Sequence, residues 1–289
     1  MTEKSQTKYL PAEETPSEAV FLEYLLKEPL PVEAPALTPD NILGKSEKEI
    51  GKIPVLAGNR WQPLGEVFKV TRRGDEALVI SGDLKHVKRI GEKMRGGLLV
   101  LKGSPGMHLG ESMGNGKILV EGDLPDWCCC NMQGGLVMVR GGAGNMLAAA
   151  LPGETRGMRG GVVIVEGDTG IRTGEAMRRG LIAVGGATGE FAGARMVAGT
   201  LAVFGRIARR AGGGMKRGTI MAIGGVDELL PSFRRSCSFR SPFIEIYLKK
   251  LQSLGLPVGK ALSGGFFARW LGDVTSSVGK GEILVYEGA

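Results

Sequence analysis

A chain of 289 residues is long enough for one large or two modest domains with a well-buried core. Its 48 glycines are about twice the usual share, yet 43% of its residues are hydrophobic, which excludes a disordered glycine linker. A formal charge of +7 suits an anionic partner but does not choose between nucleic acid, a membrane surface and an acidic small molecule.

In chain order, the opening MTEKSQTKYLPAEETPSEAV lacks the basic-then-apolar order of a signal peptide. No run approaches the roughly 18 apolar residues of a membrane span, so a soluble cytoplasmic protein is expected. Residues 1–40 read as an N-terminal arm and 41–74 as an entry segment.

Residues 75–225 repeat one line. Methionines stand at Met94, Met113, Met132, Met158, Met177, Met196 and Met215, so successive spacings by subtraction are 19, 19, 26, 19, 19 and 19. Three residues after each stands a glycine, from Gly97 to Gly218, and nine residues after each stands another, from Gly103 to Gly224. Such a fixed register is the signature of a stacked array in which each unit buries its apolar face against its neighbours.

Between the paired glycines lie runs such as LLVL, VVIV and LIAV, too short for helices and rich in β-branched residues, hence strands. Positions five and seven after Met are apolar in every copy, as in Ile118, Val120, Val163, Val165, Ile182 and Val184, and should point inward. Position six, with Val100, Leu119, Met138, Ile164, Ala183, Ala202 and Met221, should point outward yet is too apolar to face water. It should lie under the C-terminal segments or form a partner interface. A propeller blade needs about 40 residues, so the expected fold is all-β, a parallel right-handed β-helix of about seven 19-residue coils.

The seven extra residues near AAALPGETRG (148–157) should loop out of the stack. DWCCCNM (126–132) replaces the usual glycine three before Met by Cys129, which puts that turn's geometry in question. Cys128, Cys129, Cys130 and Cys237 lack the C-x-x-C spacing that turns two thiolates toward one metal, so a structural role is expected. His86 and His108 have no partner motif for acid–base work and read as surface residues. Residues 226–289 form a C-terminal extension with a helix over 242–254: Ser241 caps it, Pro242 fits the first turn, Phe243, Ile246, Tyr247 and Leu251 share a stripe, and Gly255 stops it. Its expected role is to close the open end of the stack, with docking of another protein as the alternative.

The coils GDTGIRTGEAMRRGLIAVGG and GATGEFAGARMVAGTLAVFG resemble the GXGXG β-helix shared by the C-terminal part of glutamate synthase and the C subunit of formylmethanofuran dehydrogenase. LGKSEKEIGKIPVLAGNRWQPLGEVFKV (43–70) looks like the segment preceding the repeats in that C-subunit family. DELLPSF (227–233), SPFIEIYLKKLQSLGLPV (241–258) and RWLGDVTSSVGKGEILV (269–285) look like its tail. The tail leans toward the version in the bacterial formyltransferase/hydrolase complex, and the resemblance covers about residues 40–289.

The resemblance implies a non-catalytic scaffold subunit beside amidohydrolase-like, formyltransferase and other subunits. A glutamate-bearing furan cofactor, methanofuran or methylofuran, would carry a formyl group between their active sites, with no metal in this chain. Family members carry an insertion ending in an arginine that matches Arg156. Two other readings stay open: the C subunit of a molybdenum or tungsten formylmethanofuran dehydrogenase, and a free-standing β-helix that binds polyanions. The few aromatics available for base stacking argue against nucleic acid.

One residue after Met the column reads Arg95, Gly114, Gln133, Arg159, Arg178, Val197 and Lys216; the next adds Arg179 and Arg217, with Arg156 and Arg172 in nearby turns. Cations at coil spacing suit an extended chain of carboxylates, each of which Arg can bind bidentately. Arg156, Arg159, Arg172, Arg178, Arg179, Lys216 and Arg217 are therefore the candidate cofactor-binding residues. A merely solvated basic edge is the alternative.

Overall fold

The computed structural model describes residues 16–240, 242–256 and 264–288. The entry region holds β1 (Ala19–Tyr24), β2 (Val32–Glu33), α1 (Pro39–Ile42), α2 (Glu47–Gly51), β3 (Pro54–Ala57), β4 (Arg60–Pro63), α3 (Leu64–Val67), β5 (Phe68–Arg72), β6 (Ala77–Ser81) and β7 (Val87–Lys88). Each repeat then contributes one strand: β8 (Leu98–Lys102), β9 (Lys117–Val120), β10 (Leu136–Val139), β11 (Val162–Val165), β12 (Leu181–Val184), β13 (Thr200–Val203) and β14 (Thr219–Ala222). The chain ends with β15 (Arg234–Phe239), α4 (Pro242–Ser253), β16 (Phe266–Gly272) and β17 (Gly281–Gly288).

The described residues are all-β in character, with two sheets. One has 13 strands in the order β15-β16-β17-β14-β13-β12-β11-β10-β9-β8-β6-β1-β5, and the other has four, β4-β3-β2-β7. The repeat strands pair in parallel with no slip, Ile118 against Val137, Val137 against Val163 and Val163 against Ile182. A second line of parallel bridges runs Leu124, Ala143, Thr169, Thr188, Ile207 and Val226.

The parallel run is longer than the methionine register. β1 and β6 extend it at one end and β17 at the other, with antiparallel β5, β16 and β15 beyond them. The stretch read as an arm therefore divides: residues 1–15 lie outside the described residues, whereas Val20 and Leu22 of β1 are buried in the main core.

Burial follows the columns. Positions five and seven after Met, from Leu99 and Leu101 to Ile220 and Ala222, are at most 1% exposed and share one core. The methionines are fully buried, and their spacing from the glycines has a packing cause. A Cβ on Gly180 would stand 2.8 Å from both the Met158 methyl carbon and the Gly161 carbonyl oxygen. Gly135, Gly161, Gly199 and Gly218 meet the preceding repeat's methionine in the same way. Each methionine thus fills the space above the next repeat's glycine, which ties the two residue types to one period.

The outward column is covered from two sides. Met138, Ile164, Ala183, Ala202 and Met221 form a second core with Ile244, Leu248 and Leu251 of α4 and with Phe267 and Leu284. Val100 packs with Ala19, Ala77 and Val79 near the other end. Two expectations about the helix are corrected. It lies over the strand face instead of closing the end, which β17 extends, and its buried stripe is Ile244, Leu248 and Leu251, leaving Phe243 and Ile246 exposed. The i, i+4, i+7 spacing of that triad matches a helical face. Ser241 lies outside the described residues.

Asp273 ties the last repeat to the C-terminal strands. Its carboxylate accepts hydrogen bonds from the backbone N–H of Gly214 at 3.0 Å and of Thr275 at 2.9 Å, and from the Thr275 hydroxyl at 2.6 Å. Burial opposes its charge, but these bonds outweigh burial and hold the carboxyl at about 2. A carboxyl depressed below its ordinary value of about 3.9 contributes stability that is full above that pH and is lost as pH falls toward 2. Asp273→Asn should lower the thermal midpoint by roughly 2–5 °C at pH 7. In melts over a pH series the gap to wild type should close as pH approaches 2; a constant gap would contradict the assignment.

Candidate functional site

The turn before every methionine except Met158, where the insertion intervenes, is built from alternating left-handed residues, at Met−5, Met−3 and Met−1. In the repeat of Met177 these are Arg172 (φ 59°), Gly174 (70°) and Ala176 (56°). Non-glycine residues pay about 1–2 kcal/mol there, and cross-repeat hydrogen bonds hold them, as from the Arg172 N–H to Glu190 and from the Ala176 N–H to Ala194, both 2.8 Å. Cys129 takes φ 58° at the Met−3 place, so the turn keeps its geometry without the glycine.

The three consecutive cysteines are buried and free. Burial pushes the Cys128 thiol up to about 12 and raises Cys129 and Cys130 as well, which removes them as nucleophiles at neutral pH. Among the described residues no group of three or more His, Cys, Asp or Glu is arranged to hold a metal. His86 is exposed, but His108 is half-buried with Nδ1 2.8 Å from the Glu111 carboxylate, which corrects its reading as a surface residue.

That contact belongs to a pattern. Arg89 and Glu92 (2.6 Å), His108 and Glu111 (2.8 Å) and Arg172 and Glu175 (3.2 Å) are Met−5/Met−2 pairs on one edge. Glu175 is buried and also meets Arg195 at 2.9 Å. Arg172, expected in the anion edge, therefore has its own carboxylate, and its guanidinium also lies 5.6 Å from the Phe191 ring centroid. Arg195 is missing from the candidates because it occupies Met−1, whereas the charge pattern in the sequence is plain only in the columns after Met.

The seven-residue insertion leaves the stack between Ala149, whose carbonyl accepts from the Asn131 N–H, and Gly157, whose N–H donates to Ala176. A cleft lies on each side of it. One, of about 360 Å³, has Trp127, Met146, Leu151 and Pro152 beside the Arg172–Glu175–Arg195 cluster. The other, of about 430 Å³, is lined by Ser112, Asn131, Gly153, Glu154, Thr155, Arg156 and Arg159. Arg156 and Arg159 are exposed and have no ion-pair partner among the described residues.

The Met+1 column stacks through its backbone. The N–H groups of Arg159, Arg178, Val197 and Lys216 donate to the carbonyls of Met132, Met158, Met177 and Met196 at 2.7–2.8 Å. Arg159 and Arg178 are thus neighbours, and Arg179 stands beside Arg178. Lys216 and Arg217 are separated from them by the Val197 repeat, two rises or about 10 Å away. Arg178 is half-buried, and its Nε is buried without a partner among the described residues. The structure so puts Arg156 and Arg159 on one cleft and Arg159 and Arg178 on neighbouring repeats, gives Arg172 a carboxylate partner, and leaves Lys216 and Arg217 apart.

A stack of parallel β repeats with an insertion, and with cations along one edge that are unpaired among the described residues, defines a repeat-built protein of the all-β class. No family model matches the chain. It is similar to a chain of the formyltransferase/hydrolase complex (FhcABCD) from Methylorubrum extorquens, crystallised with methylofuran: 32% identity, TM-score 0.84, covering 92% of this chain and 98% of that one. It also matches the C subunit of the molybdenum-containing formylmethanofuran dehydrogenase 1 of Methanosarcina barkeri, 46% identical over 83 residues (27% of this chain). The C subunit of the tungsten-containing formylmethanofuran dehydrogenase 2 of Methanothermobacter marburgensis is 37% identical over 86 residues (28% of this chain). The matched stretches span 28% and 32% of the lengths of these two curated relatives. The chain belongs to the family of formylmethanofuran dehydrogenase C subunits.

Proposed function

We propose that this chain is a non-catalytic scaffold subunit of a formyltransferase/hydrolase complex in one-carbon metabolism, working in the cytoplasm beside amidohydrolase-like and formyltransferase subunits. Its cationic edge helps hold the glutamate-bearing tail of a furan cofactor, methylofuran or methanofuran. The observation that carries this reading is the near full-length likeness to a chain of a complex containing methylofuran. The seven repeats are read as coils of a right-handed parallel β-helix, in keeping with the in-register strands and the second line of bridges.

When bound, the cofactor carries the formyl group between active sites on other subunits. The residues here fit its anionic end. Arg178 has an unpartnered buried Nε, and Arg156, Arg159 and Arg179 have no competing carboxylate among the described residues. Arginine holds carboxylates through two parallel N–H bonds, whereas the buried cysteine thiols and His108 beside Glu111 offer no nucleophile–base pair among the described residues.

Charge reversal tests the reading. In the assembled complex, Arg178→Glu with Arg179→Glu should lower the cofactor retained per complex at least about tenfold in 0.2 M salt, and more steeply as salt rises. Cofactor content by mass spectrometry measures it. Retention equal to wild type at low and high salt would reduce this edge to a solvated face. The higher local identity to the molybdenum-containing relative favours a second reading, membership of a formylmethanofuran dehydrogenase. Co-purification of a molybdopterin-type protein with the chain would establish it.

A further inference from the structure

We infer that the free edge of β15 is a docking surface that takes an extended, acidic segment of another protein as one further strand. This goes beyond the proposed function and stands without it, since it concerns the end of the main sheet and not the cationic edge of the repeats.

The two ends of the 13-stranded sheet differ. At one end β5 packs against α2 and α3, and the Arg72 N–H donates to the Glu47 carboxylate at 2.7 Å. At the other end β15 has β16 as its one strand neighbour, and among the described residues no backbone N–H or C=O of Arg234–Phe239 is bonded outside that ladder. Such an edge is a row of unpaired donors and acceptors, a template for another chain. Arg234, Arg235, Ser236, Cys237 and Ser238 are all exposed, so β15 leaves both faces open as well as its edge. It is held by the ladder, by Phe239 packed against the cluster under α4, and by Arg235, which donates to Ser238 Oγ at 2.7 Å and to Glu287 at 3.0 Å.

Charge selects the occupant. Residues 231–240, PSFRRSCSFR, hold three arginines and no Asp or Glu. Glu287 answers Arg235, whereas Arg234 and Arg240 have no carboxylate partner among the described residues. A second copy laid antiparallel on this edge would bring Arg234 of one chain close to Arg240 of the other, and like charges across a ladder are destabilising. A strand carrying carboxylates meets the same guanidinium groups favourably while its backbone completes the ladder. Apolar residues stand beside the edge: the Arg240 guanidinium lies 4.6 Å from the Phe266 ring centroid, and Phe266 and Ile246 are exposed. The occupant therefore alternates acidic with apolar side chains, and about six residues of it, roughly 20 Å, match the length of β15.

Titration of the purified full chain with a labelled acetyl-Glu-Val-Glu-Val-Glu-Val-amide tests this. Wild type should bind it at least about tenfold tighter than the lysine counterpart, and more weakly as salt rises. The same acidic peptide N-methylated at every residue keeps its charges but cannot donate to an edge, and should bind at least about tenfold more weakly. Arg234→Glu with Arg240→Glu should lose the binding. Arg234→Ala with Arg240→Ala repeats the test should the reversed protein fail to fold, which melting curves decide. Lys48→Glu with Lys52→Glu makes the same change in net charge on exposed positions at and just after α2, and should bind as wild type does. Absence of saturable binding to wild type, equal affinity for the lysine or N-methylated peptide, or an equal loss in the Lys48/Lys52 variant would each overturn the docking edge. A wild type that sediments as a dimer, with the Arg234/Arg240 variant a monomer, would assign the edge to a second copy and overturn the acidic partner.

Discussion

Replacing Gly180 by valine should lower the thermal midpoint by roughly 10 °C. Gly180 has φ +103°, a conformation that strains any side chain and a β-branched one most. Its Cβ position also lies 2.8 Å from the Gly161 carbonyl oxygen, which is backbone in a hydrogen-bonded stack and cannot swing aside. Backbone strain of about 1–3 kcal/mol and overpacking of about 1–3 kcal/mol then add at one site. Gly44→Ala separates the two causes, since Gly44 has φ +82° but nothing within 4 Å of its Cβ position. It should cost only the conformational part, about 1 kcal/mol. Equal losses in the two variants would mean that close approach between repeats contributes nothing.

Leu248→Asp should destabilise the chain by more than the about 2–5 kcal/mol typical of Leu→Ala in a core, because it places an unpaired carboxylate where nothing can solvate it. Leu248, on the inner face of α4, is fully buried in the cluster that covers Met138, Ile164, Ala183, Ala202 and Met221. Detaching the helix uncovers that strip. The variant should therefore bind a hydrophobic dye and scatter light increasingly with protein concentration. Ile246→Asp, at a position of the same helix that is 66% exposed, should do neither in the isolated chain. If both variants stay monomeric and dye-silent, the helix is not what shields the repeats.

Features that recur every 19 residues were legible in the sequence, because one packing solution writes the same residues each time. The Met158–Gly180 contact and its copies are of this kind, as are the inward columns of Ile182 and Val184. The insertion was legible by counting. Features built once were not. The strand Ala19–Tyr24 joins the main sheet without a methionine or a glycine pair to mark it. Phe243 and Ile246 are as apolar as Ile244 and Leu248, so composition could not say which face of α4 meets the strands.

The candidate site divides along the same line. Arg159 and Arg178 follow from stacking a column that sequence alone exposes. The Arg172–Glu175–Arg195 cluster and the Asn131–Glu154 bond join residues from different repeats, and they depend on where the left-handed turn residues send their side chains. The columns before Met carry the signal for Arg195 and Asn131, both at Met−1, but only once those turns are known to stack.

Formyl transfer by the assembled complex, measured with a tail-bearing and with a tail-less furan substrate, tests most directly whether this chain holds the carrier without taking part in the chemistry. Arg178→Glu with Arg179→Glu should impair turnover with the tail-bearing substrate, chiefly at low substrate concentration, and leave turnover of the tail-less one at the wild-type value. An equal loss of kcat on both substrates would contradict a purely cofactor-holding role for this edge.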